Sequence, residues 1–212
     1  MSSPVSSLQH PPEAERRQIH DALIEICREG GFGAATVERV IERARVDQRT
    51  FDRYFSDLDD CFAQYVSDAY APFLQSARAR METPEDWRTH LRGVIYEMVR
   101  FWRADEARAH MLLLETPASG PLASLIRDQV LEAMVDLIDH GRQLMDDPTA
   151  LTRITAQAMA GALFHQMQLM YSQKKLDDAG DLVPQLMYFL VLPYLGAEAA
   201  AAELSLPPPT GP

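Results

Sequence analysis

The chain has 212 residues, a formal net charge of −11 and 47% hydrophobic residues. This length accommodates one large domain or two modest ones, and the apolar content is sufficient for a substantial core. Abundant Leu, Ala and Met, few Gly outside turns and no alternating apolar–polar segments favour an all-α protein over one with strands. The first residues lack the apolar segment of a signal peptide. We also expect no apolar run that is long enough to cross a bilayer. Both expectations favour a cytoplasmic protein with no membrane partner.

The negative charge is concentrated in the second part of the chain. Residues 1–56 contain 8 Arg and 9 acidic residues, whereas the rest contains 12 basic and 22 acidic residues. An acidic second part would be repelled by DNA and would orient the N-terminal part toward it. The alternative is that the acidity only keeps the protein soluble.

The first elements are an arm and a helix. Residues 1–12 are rich in Pro and Ser and are expected to be disordered. A first helix is predicted to begin near Glu13. Its buried stripe comprises Ile19, Ala22, Leu23, Ile26 and Cys27.

The most informative stretch, 36–62, is predicted to form two short helices joined by a tight turn, followed by the start of another helix. Asp47 is a suitable N-cap for the second of these helices. Its apolar side is supplied by Phe51, Tyr54 and Phe55. The remaining faces carry Arg43, Gln48, Arg49, Thr50 and Arg53. A helix-turn-helix needs this division, because one face anchors the second helix and the other offers donors to a DNA major groove.

This stretch resembles the N-terminal DNA-binding domain of the TetR family of bacterial transcriptional regulators. The positions that match the family pattern are Thr36, Val40–Ile41, Ala44–Asp47, Thr50–Phe55 and Leu58–Phe62. The resemblance implies a three-helix helix-turn-helix domain over 13–56. It also implies a helical ligand-binding and dimerisation domain over 57–203, with about nine helices in all and a flexible tail over 204–212.

The departures from the family pattern concern DNA affinity. Arg45 stands where relatives usually have Gly, and a left-handed conformation there would store about 1–3 kcal/mol of strain. Asp52 and Leu58 replace a Tyr and a Lys that contact phosphates in relatives. The resemblance therefore leaves open a protein that keeps the fold but binds DNA weakly or no longer binds it.

The DNA contacts that the resemblance implies are assigned by position. We expect base contacts from Gln48, Arg49 and Thr50, with Gln48 pairing with adenine and Arg49 with guanine. The residues expected to contact the DNA backbone or its phosphates are Thr36, Arg39, Arg53 and Tyr54.

Six further helices are predicted in the body of the chain. Pro193 is expected to kink or end the last of them. The predicted ranges are 57–81, a fifth helix opening at 83–86, 105–114, 122–145, 147–173 and a ninth from about 181, with a loop over 116–121.

The last two long helices are strongly apolar. In the proteins that this sequence resembles, these helices pair with their two-fold mates, which implies a homodimer that reads a pseudo-palindromic double-stranded DNA operator. The alternative is that both helices are ordinary core. The residues predicted at the dimer interface are Ala158, Gly161, Ala162, His165, Leu186 and Leu190.

The resemblance also implies a small apolar effector held in a cavity between the body helices. His110 or Tyr171 is the expected polar anchor. The competing interpretation is that these Met and aromatic residues are ordinary core. The residues predicted to bind the ligand are Phe73, Met98, Trp102, His110, Met134, Met167 and Tyr171.

No catalytic or metal-binding pattern is present, so no catalytic residue, metal or cofactor is expected. The six His do not form HExxH, and Cys27 and Cys61 lack metal or redox spacing and are predicted to be buried. We therefore expect a transcriptional regulator, specifically a repressor, rather than an enzyme. The alternative is a ligand-binding or protein-interaction module with the same fold.

Overall fold

The computed structural model describes residues 12–81 and 86–207, and within these ranges the chain forms nine α-helices and no strands. The all-α prediction is therefore confirmed. The helices are α1 (Pro12–Gly30), α2 (Val37–Ala44), α3 (Gln48–Tyr54), α4 (Leu58–Met81), α5 (Trp87–Arg103), α6 (Glu106–His110), α7 (Pro121–Asp139), α8 (Arg153–Ser172) and α9 (Val183–Glu203).

Local capping explains how α2 and α3 begin. The Thr36 hydroxyl accepts a hydrogen bond from the Arg39 amide at 3.3 Å, and the Asp47 carboxylate accepts one from the Thr50 amide at 2.7 Å. Between the two helices, Arg45 lies in the left-handed region with φ 53° and ψ 41°. Asp47 is thus the predicted cap, and Arg45 has the strained conformation considered from sequence.

The packing that holds α3 in place is as predicted. Phe51 and Phe55 are each only 1% exposed, and their rings lie 5.4 Å apart. Val46 is half-buried against the same core. Burying these side chains on one face leaves the opposite face of α3 on the surface.

Several predicted boundaries in the body are wrong. α6 ends at His110. A π-helical turn over Met111–Glu115 follows it directly. The predicted loop at 116–121 starts with a 3₁₀ turn in which Thr116 is fully buried. α7 ends at Asp139 rather than near 145, and a 3₁₀ turn, His140–Leu144, follows it.

The start of α8 and the kink of α9 also differ from prediction. The Asp147 carboxylate accepts a hydrogen bond from the Thr149 amide at 2.9 Å, so Asp147 stabilises a local turn and α8 begins only at Arg153. α9 continues through Pro193 and kinks at Gly196, where φ is 79°. Glycine tolerates that backbone conformation, which other residues rarely adopt.

Some predictions fall outside the described residues: the arm, apart from Pro12, and the last part of the tail, 208–212. The same holds for 83–85 of the predicted α5 start, although Asp86 is described and accepts hydrogen bonds from the Arg88 and Thr89 amides at 3.0 and 3.2 Å.

α4 is the central element of the body. It packs against α5 and α7, and α7 in turn packs against α8. α1 contacts α2, α3, α4 and α6, so the N-terminal helices rest on the body through α1. α4 therefore connects the region beside α3 with the interior of the body.

The prediction about membrane-spanning length is also wrong. Within the described ranges, the segment Leu176–Glu203 is long and apolar enough to cross a membrane by length and composition. Part of this apolarity belongs to the core, since Val183, Met187 and Leu190 are fully buried.

Candidate nucleic-acid interface and ligand cavity

The free surface of α3 carries the residues predicted to contact bases. Gln48 and Arg49 are exposed and Thr50 is half-buried. The Gln48 amide donates a hydrogen bond to Asp52 at 2.7 Å, so in this conformation it is held along the helix. Arg49 is exposed and makes no ion pair within 4.0 Å in the described part of the chain, although its charge acts on nearby Asp47, so its guanidinium can reach a ligand such as a guanine edge.

The C-terminal end of α3 is tied to α1 through one carboxylate. Glu15 accepts hydrogen bonds from the Arg53 guanidinium at 2.9 Å and from the Tyr54 hydroxyl at 2.8 Å. Both donors were predicted to contact phosphates. They must leave Glu15, or share it, before they can do so.

The remaining predicted backbone contacts are also engaged within the protein. Thr36 caps α2, and the Arg39 guanidinium donates to the Ala34 carbonyl. Arg43 forms ion pairs with Glu25 at 3.2 Å and Glu29 at 2.9 Å. The basic side chains of α2 are therefore partly neutralised by acidic and carbonyl groups of their own domain.

A cavity of about 520 Å³ lies between α4, α5 and α7. Its walls are mainly apolar, and its polar groups include Arg78, Asp136 and His140, which are exposed. The apolar lining residues include Tyr70, Phe73, Leu74, Val94, Ile126, Val130, Met134 and Leu137. A space of this size and composition suits an elongated apolar small molecule.

A smaller cavity of about 40 Å³ adjoins the first and extends toward α8. The two share Tyr70, Phe73, Val130 and Met134 as walls. The other lining residues of this inner cavity are Met98, Phe101, Trp102, Arg127, Leu131, Ala160, Leu163 and Phe164.

The predicted ligand residues therefore divide into two groups. Phe73, Met98, Trp102 and Met134 line the two cavities. The other predicted residues, His110, Met167 and Tyr171, are not among the described residues that line them. These three residues lie on α6 and on the C-terminal half of α8, away from the walls of both cavities, and their role as ligand contacts stays a prediction.

Of the wall that α7 supplies, sequence reasoning identified only Met134. Ile126, Val130, Met134 and Leu137 recur at helical spacing along it and all line the main cavity. This apolar stripe was the available signal, but the periodicity does not show whether a stripe faces solid core or a cavity.

His110 and Tyr171 belong to a polar network that joins the body to the N-terminal helices. His110 Nδ1 lies 3.2 Å from the Tyr171 hydroxyl, and His110 Nε2 lies 3.0 Å from Glu115 Oε1 without the alignment of a hydrogen bond. The other Glu115 oxygen accepts a hydrogen bond from the Phe32 amide at 2.6 Å. Glu115 is buried in the π-helical turn, a feature that often marks functional positions.

The predicted dimer residues of α8 share an exposed face. Ala158, Gly161, Ala162 and His165 are exposed, so the alternative that they form ordinary core does not hold for the monomer. A Cβ atom at Gly161 would meet nothing within 4 Å, and therefore packing within the monomer does not require glycine there.

The predicted dimer residues of α9 need a correction. Leu186 is half-buried, but Leu190 is fully buried and cannot contact a second copy in this conformation. Exposed apolar side chains outside the predicted interface set include Ile154 on α8, 70% exposed, and Phe189 on α9, 43% exposed. Neighbouring apolar residues on a helix can face different sides. Apolarity alone therefore did not show which of residues 189 and 190 is exposed and which is buried.

Several solved structures with the same fold are described as transcriptional or metabolic regulators. The chain is similar to the fatty acid degradation regulator FadR from Bacillus halodurans, with 21% identity, a TM-score of 0.70 and coverage of 83% of this chain and 97% of that chain. It is also similar to FadR from Bacillus subtilis in complex with stearoyl-CoA, with 19% identity, a TM-score of 0.68 and the same coverage.

A third similar structure is that of a protein described as a TetR-family transcriptional regulator from Syntrophomonas wolfei, with 14% identity and a TM-score of 0.68, covering 88% of this chain and 97% of that chain. No family model matches the sequence, and a search of curated proteins also gave no match. At these identities the similarity establishes the fold.

Proposed function

We propose that this chain, which has the fold of TetR-family transcriptional regulators, is a cytoplasmic, sequence-specific DNA-binding repressor released by a small apolar ligand. The observation that carries the proposal is the division of α3. Phe51 is buried in the core, whereas Gln48 and Arg49 are exposed and offer donors that suit base edges in a major groove. The DNA-binding domain comprises 13–56 and the ligand-binding and dimerisation domain 57–203.

The exposed faces of α8 and α9 support a homodimer. A two-fold pairing there would place two copies of α3 about 34–36 Å apart, or a multiple of this distance, which matches successive major grooves of a pseudo-palindromic operator. Ala158, Gly161 and Ala162 are small, so two copies of α8 can approach closely.

The cavity supports control by a ligand. Phe73, Leu74 and Arg78 of α4 line it, and the same helix begins at Leu58, beside the end of α3. A ligand that fits the cavity better when α4 has moved will favour that state, and it weakens DNA binding only by its preference for that state. The stearoyl-CoA bound to the Bacillus subtilis FadR suggests a long acyl chain as one class of occupant.

The proposal is tested by selecting bound sequences from random DNA duplexes and measuring affinity at several salt concentrations. We expect specific retention that weakens steeply as salt rises. Arg49→Ala should cost about 1–3 kcal/mol of discrimination at one base pair. Lys175→Ala, which removes one positive charge from an exposed position in the body, is the matched control and should leave discrimination unchanged.

A second function is favoured by the contacts that several predicted DNA-binding residues make within the protein. Asp52 holds Gln48, and Glu15 holds Arg53 and Tyr54, so a protein that binds ligands but not DNA would also keep these contacts. Failure to retain any sequence at low salt would support this module. Retention with unchanged specificity in Arg49→Ala would instead reject only the assigned base contact.

A further inference from the structure

The two tryptophans of the chain differ in how their indole N–H groups are satisfied. The Trp87 Nε1 donates a hydrogen bond to the Leu137 carbonyl at 2.8 Å. Trp102 is only 4% exposed, lines the inner cavity, and its Nε1 has no hydrogen-bond partner in the described ranges. Most buried polar groups in folded proteins have a partner, and a donor left without one is costly.

The surroundings of Trp102 are aromatic on two sides. Its ring meets Tyr70 at 6.0 Å in an edge-on arrangement and Phe101 at 4.8 Å. Arg127 lines the same inner cavity, but its Nε and Nη2 both donate to Asp128, at 3.0 and 2.7 Å. The walls of the inner cavity are almost entirely apolar, and the Trp102 indole N–H is a buried donor among them without a partner in the described ranges.

We propose that Trp102 donates a hydrogen bond to the effector and that the effector carries an acceptor, such as a carbonyl oxygen, at the end inserted toward α8. The remainder of the effector is an apolar chain that fills the space between Tyr70, Phe73 and Met134. This inference rests on the proposed role of the cavity as the ligand site. It makes Trp102 a residue that selects among apolar molecules of similar size.

The experiment uses the full-length protein and two probes of nearly the same shape, 2-undecanone and 2-methyl-1-undecene. The first has a C=O group where the second has C=CH₂, so only the ketone offers an acceptor. Indole N–H signals of ¹⁵N-labelled protein are recorded by NMR with each probe. Trp87→Phe and Trp102→Phe assign the two signals, and one folded variant is sufficient for this purpose.

We expect the ketone to shift the Trp102 indole proton downfield and the alkene to leave it nearly in place. Calorimetry should show that Trp102→Phe lowers ketone affinity about tenfold and alkene affinity less than about threefold, as expected for loss of one hydrogen bond.

An unchanged indole proton with bound ketone would overturn the inference, since the ketone oxygen would then not accept a hydrogen bond from Trp102. Equal losses for both probes in Trp102→Phe would also overturn it, because Trp102 would then contribute only packing. If neither probe binds, the cavity is not the ligand site and the inference fails with it. The operator selection is independent of all these outcomes.

Discussion

Arg45 and Lys174 are non-glycine residues with positive φ, at 53° and 56°. Arg45 lies in the turn of the helix-turn-helix and Lys174 follows α8. A side chain in this region strains the backbone, and glycine removes the strain at some cost in chain entropy. The residue at position 45 therefore affects the stability of the helix-turn-helix that contains α3.

Arg45→Gly should raise the free energy of unfolding by about 1 kcal/mol, because relief of strain exceeds the entropy that glycine loses on folding. Urea denaturation measures this change. Lys174→Gly has the same backbone geometry in the body and should give a similar gain. Destabilisation by Arg45→Gly alone would mean that the arginine side chain makes a favourable contact that outweighs the strain.

Burial of His20 makes the free energy of unfolding depend on pH in the acid range. Its ring is 8% exposed and lies 5.2 Å from the ring of Phe55. Burial, followed by the nearby Arg16 charge, lowers the pKa of His20 from 6.5 to about 4. The folded protein therefore keeps the imidazole neutral at pH values where the unfolded chain protonates it.

The free energy of unfolding should thus be at its full value above pH 6.5 and fall as pH drops toward 4, by about 1.4 kcal/mol per pH unit from this group. Denaturation at a series of pH values measures the slope. His20→Gln, which does not titrate here, should reduce the slope by that amount. An identical slope in His20→Gln would show that other groups cause the acid sensitivity.

At the scale of elements, the π-helical turn after α6 joins the body to the N-terminal helices. Glu115 reaches from this turn to the Phe32 amide, just before α2. His110 and Tyr171 lie behind Glu115, so α6 and α8 take part in the same connection. This route lies apart from the cavity walls and supplements the connection through α4.

Glu115→Ala should lower the free energy of unfolding by about 1–3 kcal/mol, because the Phe32 amide loses its acceptor in a partly buried site. Hydrogen exchange of that amide should accelerate as well. Glu115→Gln keeps an oxygen acceptor and serves as the matched control, with a smaller loss expected. Equal effects of Ala and Gln on both measurements would contradict a role for the hydrogen bond to Phe32.

At the scale of the whole molecule, exposed apolar side chains on α8 and α9 are the basis for the proposed dimer. Ile154, Leu169 and Phe189 are each at least 40% exposed, in a region that also contains the long apolar segment Leu176–Glu203. Exposed apolar surface of this kind commonly marks an interaction site. The proposed second copy of the chain would cover these apolar side chains and would explain the glycine among them.

Gly161→Leu should convert the proposed dimer to a monomer, because a Cβ there meets no neighbouring atom within 4 Å in the monomer, whereas the leucine side chain would block close approach of a second α8. Light scattering coupled to size exclusion measures the mass. Gly33→Leu is the matched control, since a Cβ there also meets nothing within 4 Å. A Gly161→Leu protein that remains dimeric would place the interface elsewhere.

The sequence determined the helix-turn-helix and the helical class because these depend on interactions close along the chain. Thr36 and Asp47 cap the helices they precede, and Phe51 and Phe55 recur at the spacing of one helical face. Such signals lie within a few residues of the structure that they specify.

Tertiary structure decided what each apolar face contacts. Trp102 lines a cavity while His110 and Tyr171 join Glu115, and Leu190 is buried while its neighbour Phe189 is exposed. Equally, only packing of α1 on α3 brought Glu15 to Arg53. These outcomes depend on the relative placement of helices far apart in sequence, and helical periodicity gives the direction of a face without its neighbour.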